Sequence, residues 1–134
     1  MRFSEVELGD DLPEETQDIT MERVQLFVKT VGMNFPRFTD HEFARKEGLP
    51  GAIVPGIMSQ GLLAAMIHRW APGSHVRKID TVFRAPIVVG TSVKMTGAVT
   101  DLDDDAHTVE IDITVVSENG ATNVLGTAVV ELEP

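Results

Sequence analysis

The sequence predicts an α+β fold, an antiparallel sheet covered by a long central helix. Three observations predict it. Ile57 to Ala71 is the most apolar helical stretch of the chain, with Leu62, Leu63, Met66, Ile67 and Trp70 around Ala64 and Ala65. A segment apolar on most faces reads as a buried helix. After Gly73 the pattern changes to four strand-like runs, clearest where Val109, Ile111, Ile113 and Val115 alternate with Glu110, Asp112 and Thr114. An antiparallel sheet buries one face, and the apolar helix is its natural cover.

The elements follow in order. Residues 1–15 carry Asp10-Asp11 and Glu14-Glu15 and are expected to be partly loose. Gln17 to Met21 reads as a short strand. Thr20 reads as an N-cap with Glu22 in the first turn, and Val24, Phe27, Val28 and Val31 follow at helical spacing. A helix is expected over 21–31, stopped by Gly32. Gly32 to Phe38 reads as a loop around Pro36. Thr39 and Glu42 have capping-box spacing, which predicts a short helix from Asp40 to Lys46 ending at Gly48. Three Gly and two Pro in the nine residues 48–56 forbid regular structure, yet Ile53 and Val54 should turn that loop inward. The central helix ends at Pro72-Gly73. Strands are expected over Val76–Ile87, Ser92–Leu102, Thr108–Val116 and Asn123–Leu132, with turns at Val89-Gly90, Asp101–Asp105 and Glu118-Asn119-Gly120.

Composition narrows the function. The chain has 134 residues, 43% of them hydrophobic, which fits one domain over 1–134. It has no Cys, so disulfides, thiol nucleophiles and Cys-ligated zinc are excluded. The formal net charge of −10 opposes a nucleic-acid backbone as partner. No apolar run reaches the ~18–20 residues that span a bilayer. The acidic N-terminus lacks a signal-peptide pattern, so the expected location is cytoplasmic, with no membrane partner. The four His, at 41, 68, 75 and 107, have no metal-binding spacing. No nucleophile elbow, phosphate loop or dinucleotide fingerprint is present.

Two segments carry a resemblance. The first runs Gly32-Met33-Asn34-Phe35-Pro36-Arg37-Phe38-Thr39-Asp40-His41-Glu42-Phe43-Ala44, then Gly48 to Ser59. It resembles the signature of MaoC-like (R)-specific enoyl-CoA hydratases: G-D-x-N-P-x-H-x-D, E-x-A, then G-x-x-x-H-G-M before the central helix. The second, Phe83-Arg84-Ala85-Pro86-Ile87-Val88-Val89-Gly90, resembles the family's F-R-x-P-V-x-x-G-D. The resemblance covers about residues 17–132 and implies a hot-dog fold. It implies an acyl-CoA thioester as substrate, no further cofactor, and pairing of subunits so that each site lies at their interface.

In that register the family's catalytic Asp position holds Met33 and its catalytic His position holds Phe38. The Asn position before Pro36 holds Phe35, and the His position before the oxyanion Gly holds Pro55. Neither Met nor Phe can transfer a proton. Gly56 matches the residue whose N–H stabilises the enolate-like oxygen at the helix start. Arg84, with Arg77 and Lys78 upstream, would meet a phosphate-bearing ligand, or would simply offset the acidic surface. Asp40 and His41 are the acid/base residues nearest the vacant dyad. They could serve as a displaced pair, or as a helix-start Asp and an exposed first-turn His. Met33, Phe35 and Phe38 either line an acyl tunnel or pack as core. His68 and Arg69 read as cations favoured near a helix C-terminus.

Three functions follow from this reading. The chain could be the dyad-lacking subunit of a heteromeric hydratase, paired with a dyad-bearing hot-dog subunit. It could be a homodimeric hydratase using Asp40 or His41. It could be a non-catalytic acyl-CoA binder.

Overall fold

The computed structural model describes residues 1–134. A single 3-10 turn, Phe3–Glu5, precedes strand β1 (Glu15–Ile19) and helix α1 (Met21–Val31). Two short helices follow, α2 (Pro36–Thr39) and α3 (His41–Lys46), and then the central helix α4 (Gly56–Trp70). Strands β2 (His75–Phe83), β3 (Thr91–Asp103), β4 (Thr108–Ser117) and β5 (Thr122–Glu131) complete the chain.

The five strands form one antiparallel sheet in the order β1-β3-β4-β5-β2. The β3-β4-β5 meander is joined by hairpins, as the Asn119-Gly120 and Asp101–Asp105 turns require. β2 crosses to pair with β5, and β1 pairs with β3. β1 and β2 are therefore the edges. Register shifts at Val76/Lys78, Val99/Asp101 and Val115/Val116 bend three ladders, and such bulges increase twist. At Gly126, opposite Thr81, any Cβ would fall on the carbonyl oxygen of Asp80, so only glycine allows β2 and β5 to coil this closely. The curved sheet encloses α4, whose Leu63, Met66 and Ile67 form one buried cluster with Val93, Met95, Ile111, Ile113, Val124 and Val130. This is the hot-dog fold that the resemblance implies.

Local chemistry explains the helix ends. Thr20 Oγ1 accepts the N–H of Arg23 at 3.2 Å, and Gly32 takes the left-handed conformation, φ 74°, that closes α1. Arg69, near the end of α4, donates Nε–H to both carboxylate oxygens of Glu15 on β1, at 3.1 and 3.0 Å. That hydrogen bond raises the guanidinium pKa above its ordinary value. The role is structural, as expected for this position.

Five expectations need correction. The N-terminal segment is packed, not loose. Val6 and Leu12 are buried, Leu12 N–H donates to Gly97 O at 2.9 Å, and the ring of Phe3 meets His107 edge-on. Their apolar side chains outweigh the acidic residues between them. The loop around Pro36 contains the helical turn α2, because Pro is favoured in a first turn. The cap of α3 is Asp40, not Thr39: Asp40 Oδ1 accepts the N–H of Phe43 at 3.0 Å. Thr39 is spent as the last residue of α2. The strand expected to reach Ile87 stops at Phe83, because Pro86 cannot donate to a ladder. The first strand is Glu15–Ile19, earlier by two residues, because Thr20 caps α1.

Candidate functional site

The Gly- and Pro-rich segment before α4 is irregular but firmly held. Val54 N–H donates to Ile87 O, and Val89 N–H donates to Ala52 O, both at 2.8 Å. Ile53 bridges Val88 in antiparallel fashion between them. Ile53 N–H donates to Arg37 O on α2 at 3.0 Å. Ala52 and Val54 are buried, so the loop turns inward as its apolar residues require. This short ladder fixes Pro55 and, with it, the start of α4.

Pro55 is the N-cap of α4, and its carbonyl accepts from Met58 N–H at 3.0 Å and Ser59 N–H at 3.2 Å. Gly56 is the first helical residue. The first N–H groups of a helix have no intrahelical acceptor and sit at the positive end of its dipole. Gly56 opens onto a cavity of about 320 Å³. Phe83 forms one side of it: a Cβ on Gly56 would lie 2.9 Å from the tip of that ring. Arg84, Ala85 and Pro86 form the wall after β2, and Ile53, Val54, Ile87 and Val124 supply apolar surface.

Ser59 lies one turn into α4, on the face of Gly56, and also lines the cavity. It is 3% exposed, and its hydroxyl reaches only Pro55 O, at 3.5 Å, too long for a strong bond. Ser59 and Arg84 carry the only side-chain polar groups in the lining. Sequence reasoning passed over Ser59. The available signal is a hydroxyl three residues after Gly56, at the start of a mostly apolar helix.

Of the residues singled out from sequence, Gly56 and Arg84 meet in this cavity. Arg84 is exposed and forms no ion pair within the chain. Arg77 and Lys78 do not extend a basic patch from it, since Arg77 pairs with Glu131 and Lys78 with Asp80. Pro55 contributes its cap, not a wall. Met33 and Phe38 are half-buried against the core and outside the cavity lining. Phe35 is 55% exposed and meets Phe38 edge-to-face, with centroids 6.2 Å apart.

Asp40 and His41 also lie outside the lining. The carboxylate of Asp40 is used as the α3 cap. His41 is not the exposed first-turn residue of the simpler expectation. It is half-buried, and its Nδ1 accepts the N–H of Ala52 at 3.0 Å. The ring packs on Gly51, where a Cβ would approach Nδ1 to 2.9 Å. Both residues therefore build the loop that carries Gly56. The cavity of this chain contains the glycine that starts α4, a hydroxyl and a cation, and no Asp, Glu or His.

Comparison with known proteins agrees with the fold. A family model described as a MaoC like domain matches residues 7–121. The fold is similar to that of an (R)-hydratase from A. caviae involved in PHA biosynthesis. That match has TM-score 0.90 and 24% identity, covering 95% of this chain and 97% of the other. It is also similar to the R-hydratase PhaJ1 from Pseudomonas aeruginosa, with TM-score 0.90 and 24% identity over 98% of this chain and 85% of that one. A third similar structure is the ChsH1-ChsH2 complex from Mycobacterium tuberculosis, with TM-score 0.88 and 18% identity over 96% of this chain and 99% of the matched one. No curated protein matches the sequence. No helix is long and apolar enough to cross a membrane, and no cluster of His, Asp or Glu could hold a metal ion.

Proposed function

The chain belongs to the MaoC-like hot-dog dehydratase family, and on that premise we propose that it binds an acyl-CoA thioester as the dyad-lacking subunit of a heteromeric hydratase. The observation that carries this reading is the make-up of the cavity. It has the Gly56 N–H at the positive end of α4 to receive a thioester carbonyl, and Arg84 at its rim to meet a phosphate. It has no side chain that could remove a proton from water or return one to the α-carbon. Binding and oxyanion stabilisation belong to this chain, and proton transfer belongs to another.

The partner surface fits the reading. β2 is an unpaired sheet edge, and Val82 and Phe83 at its end are each 53% exposed. Ile57, next to Gly56, is exposed beside them. An open edge with apolar residues is a template for another strand. A dyad-bearing hot-dog subunit docked there would bring acid and base to the mouth of the cavity. A homodimer formed on the same edge would bind the thioester and turn nothing over. The displaced-dyad reading, with Asp40 or His41 as catalyst, finds no support in their placement as cap and loop strut.

The test is hydration of crotonyl-CoA and of a longer 2-enoyl-CoA, followed at the enoyl-thioester absorbance, together with calorimetric binding. The expected result is binding without turnover by the purified chain, and turnover once a dyad-bearing hot-dog subunit is added. Robust turnover by the chain alone would overturn the proposal.

A further inference from the structure

The Arg84–Pro86 turn is one wall of the cavity, and little in its own sequence fixes it. β2 pairing has ended at Phe83, and Pro86 has no N–H to donate. Asn123, the second residue of β5, grips this turn from two directions. Its backbone carbonyl accepts the N–H of Arg84 at 2.8 Å and that of Ala85 at 3.3 Å. Its side-chain Nδ2 donates to Pro86 O at 3.0 Å and reaches Ala85 O at 3.5 Å.

The amide does this at a cost. Asn123 is 3% exposed, and its Oδ1 has no hydrogen-bond partner. Turning the amide over would aim Oδ1 at two carbonyl oxygens, so the network dictates the orientation. A buried, unpaired acceptor is destabilising, and an apolar side chain of similar shape would not carry it. Asn is also disfavoured in strands. What the amide gives in return for its unpaired Oδ1 is its Nδ2 hold on the carbonyls of the turn.

We propose that Asn123 is a positioning residue for the thioester cavity, acting through the Arg84–Pro86 turn to place Arg84 against a phosphate-bearing ester. The inference rests on the acyl-thioester reading above. The side chain of Asn123 touches no reacting atom in this scheme. It determines where the guanidinium stands.

The test compares two esters that differ in phosphate: crotonyl-CoA and S-crotonyl-pantetheine, with affinities measured by calorimetry on the full chain. Asn123→Leu keeps the packing and the backbone acceptor and removes only the side-chain donors. It is expected to weaken crotonyl-CoA about tenfold while leaving S-crotonyl-pantetheine within about twofold. Arg84→Met should show the same split, and the double variant should be no weaker than Arg84→Met alone. Equal losses for both esters would mark a merely structural role and overturn the inference, as would additive losses in the double variant. If Asn123→Leu does not fold, Asn123→Ser carries the same comparison. A wild-type chain that binds neither ester would sink the thioester reading and this inference together. A wild-type chain that binds crotonyl-CoA, with Asn123→Leu unchanged, would overturn this inference alone.

Discussion

The imidazole of His41 accepts the N–H of Ala52 through Nδ1 at 3.0 Å, and so ties the first turn of α3 to the loop that delivers Gly56. Accepting at Nδ1 uses the lone pair that a general base at that atom would need. His41 is thereby assigned to construction, and the other ring nitrogen carries the proton.

Removing that strut should cost stability. In His41→Ala the N–H of Ala52, a fully buried residue, loses its acceptor. An unsatisfied buried donor costs roughly 1–3 kcal/mol, so the urea midpoint should fall accordingly. Crotonyl-CoA affinity, measured well below the transition, should fall only modestly. A loss of affinity of ~10²-fold in a fully folded variant would place His41 in contact with ligand and contradict the assignment.

Gly56→Ala probes the proposed oxyanion position more directly. The new methyl would stand 2.9 Å from the tip of Phe83, so the ring must swing away. Phe83 is half-exposed and can move, which keeps the cost in stability small. The cavity mouth changes shape, and affinity for crotonyl-CoA should drop about tenfold, equivalent to ~1.4 kcal/mol. Adding Phe83→Leu should recover part of the loss. Unchanged binding in Gly56→Ala would show that the thioester sits elsewhere.

The sheet and the central helix were legible because their signals are periodic. The alternation from Val109 to Val115 survives as a strand with one buried face, and the apolar run after Gly56 survives as α4. The strand order was not legible, because nothing local tells β2 to cross to β5 rather than pair with β3. The end of β2 is misplaced because a single Arg84 does not break the apolar pattern of Val82, Phe83, Ala85 and Ile87, and only Pro86 marks the turn. Gly56 and Arg84 were legible through their motif positions, and the cavity brings them together. Ser59 and Asn123 were missed for a different reason. Each is a buried polar residue, and its role depends on what lies across space: a cavity for Ser59 and a turn 37 residues away for Asn123.

Association should depend on the β2 edge. Val82→Lys puts a charge on an exposed strand position where the isolated chain has nothing to lose. Edge lysines oppose strand addition. Thermal stability at low concentration should stay within about 0.5 kcal/mol of wild type. Sedimentation should shift from a dimer to a single chain. A dimer that survives Val82→Lys would move the interface to another face, such as the exposed Leu26 and Val31 on α1.

The strongest test of the missing dyad is to put it back. In the register of the resemblance, Met33 and Phe38 stand where the MaoC-like signature has its catalytic Asp and His, and both side chains lean on the core. Met33→Asp and Phe38→His together would supply an acid and a base, at a cost of roughly 2–4 kcal/mol from lost apolar packing. The edge-to-face contact of Phe38 with Phe35 can persist with an imidazole, which limits the damage. Either change alone should leave crotonyl-CoA unhydrated, because addition of water needs both proton transfers. The double variant should hydrate it at least ~10²-fold faster than either single variant, the lower end of what positioned acid–base groups contribute. If the double variant folds and binds the ester and still turns nothing over, then the segment from Met33 to Phe38 does not hold these two positions astride the substrate. The loss of chemistry would then lie in the backbone of the loop as well as in its side chains.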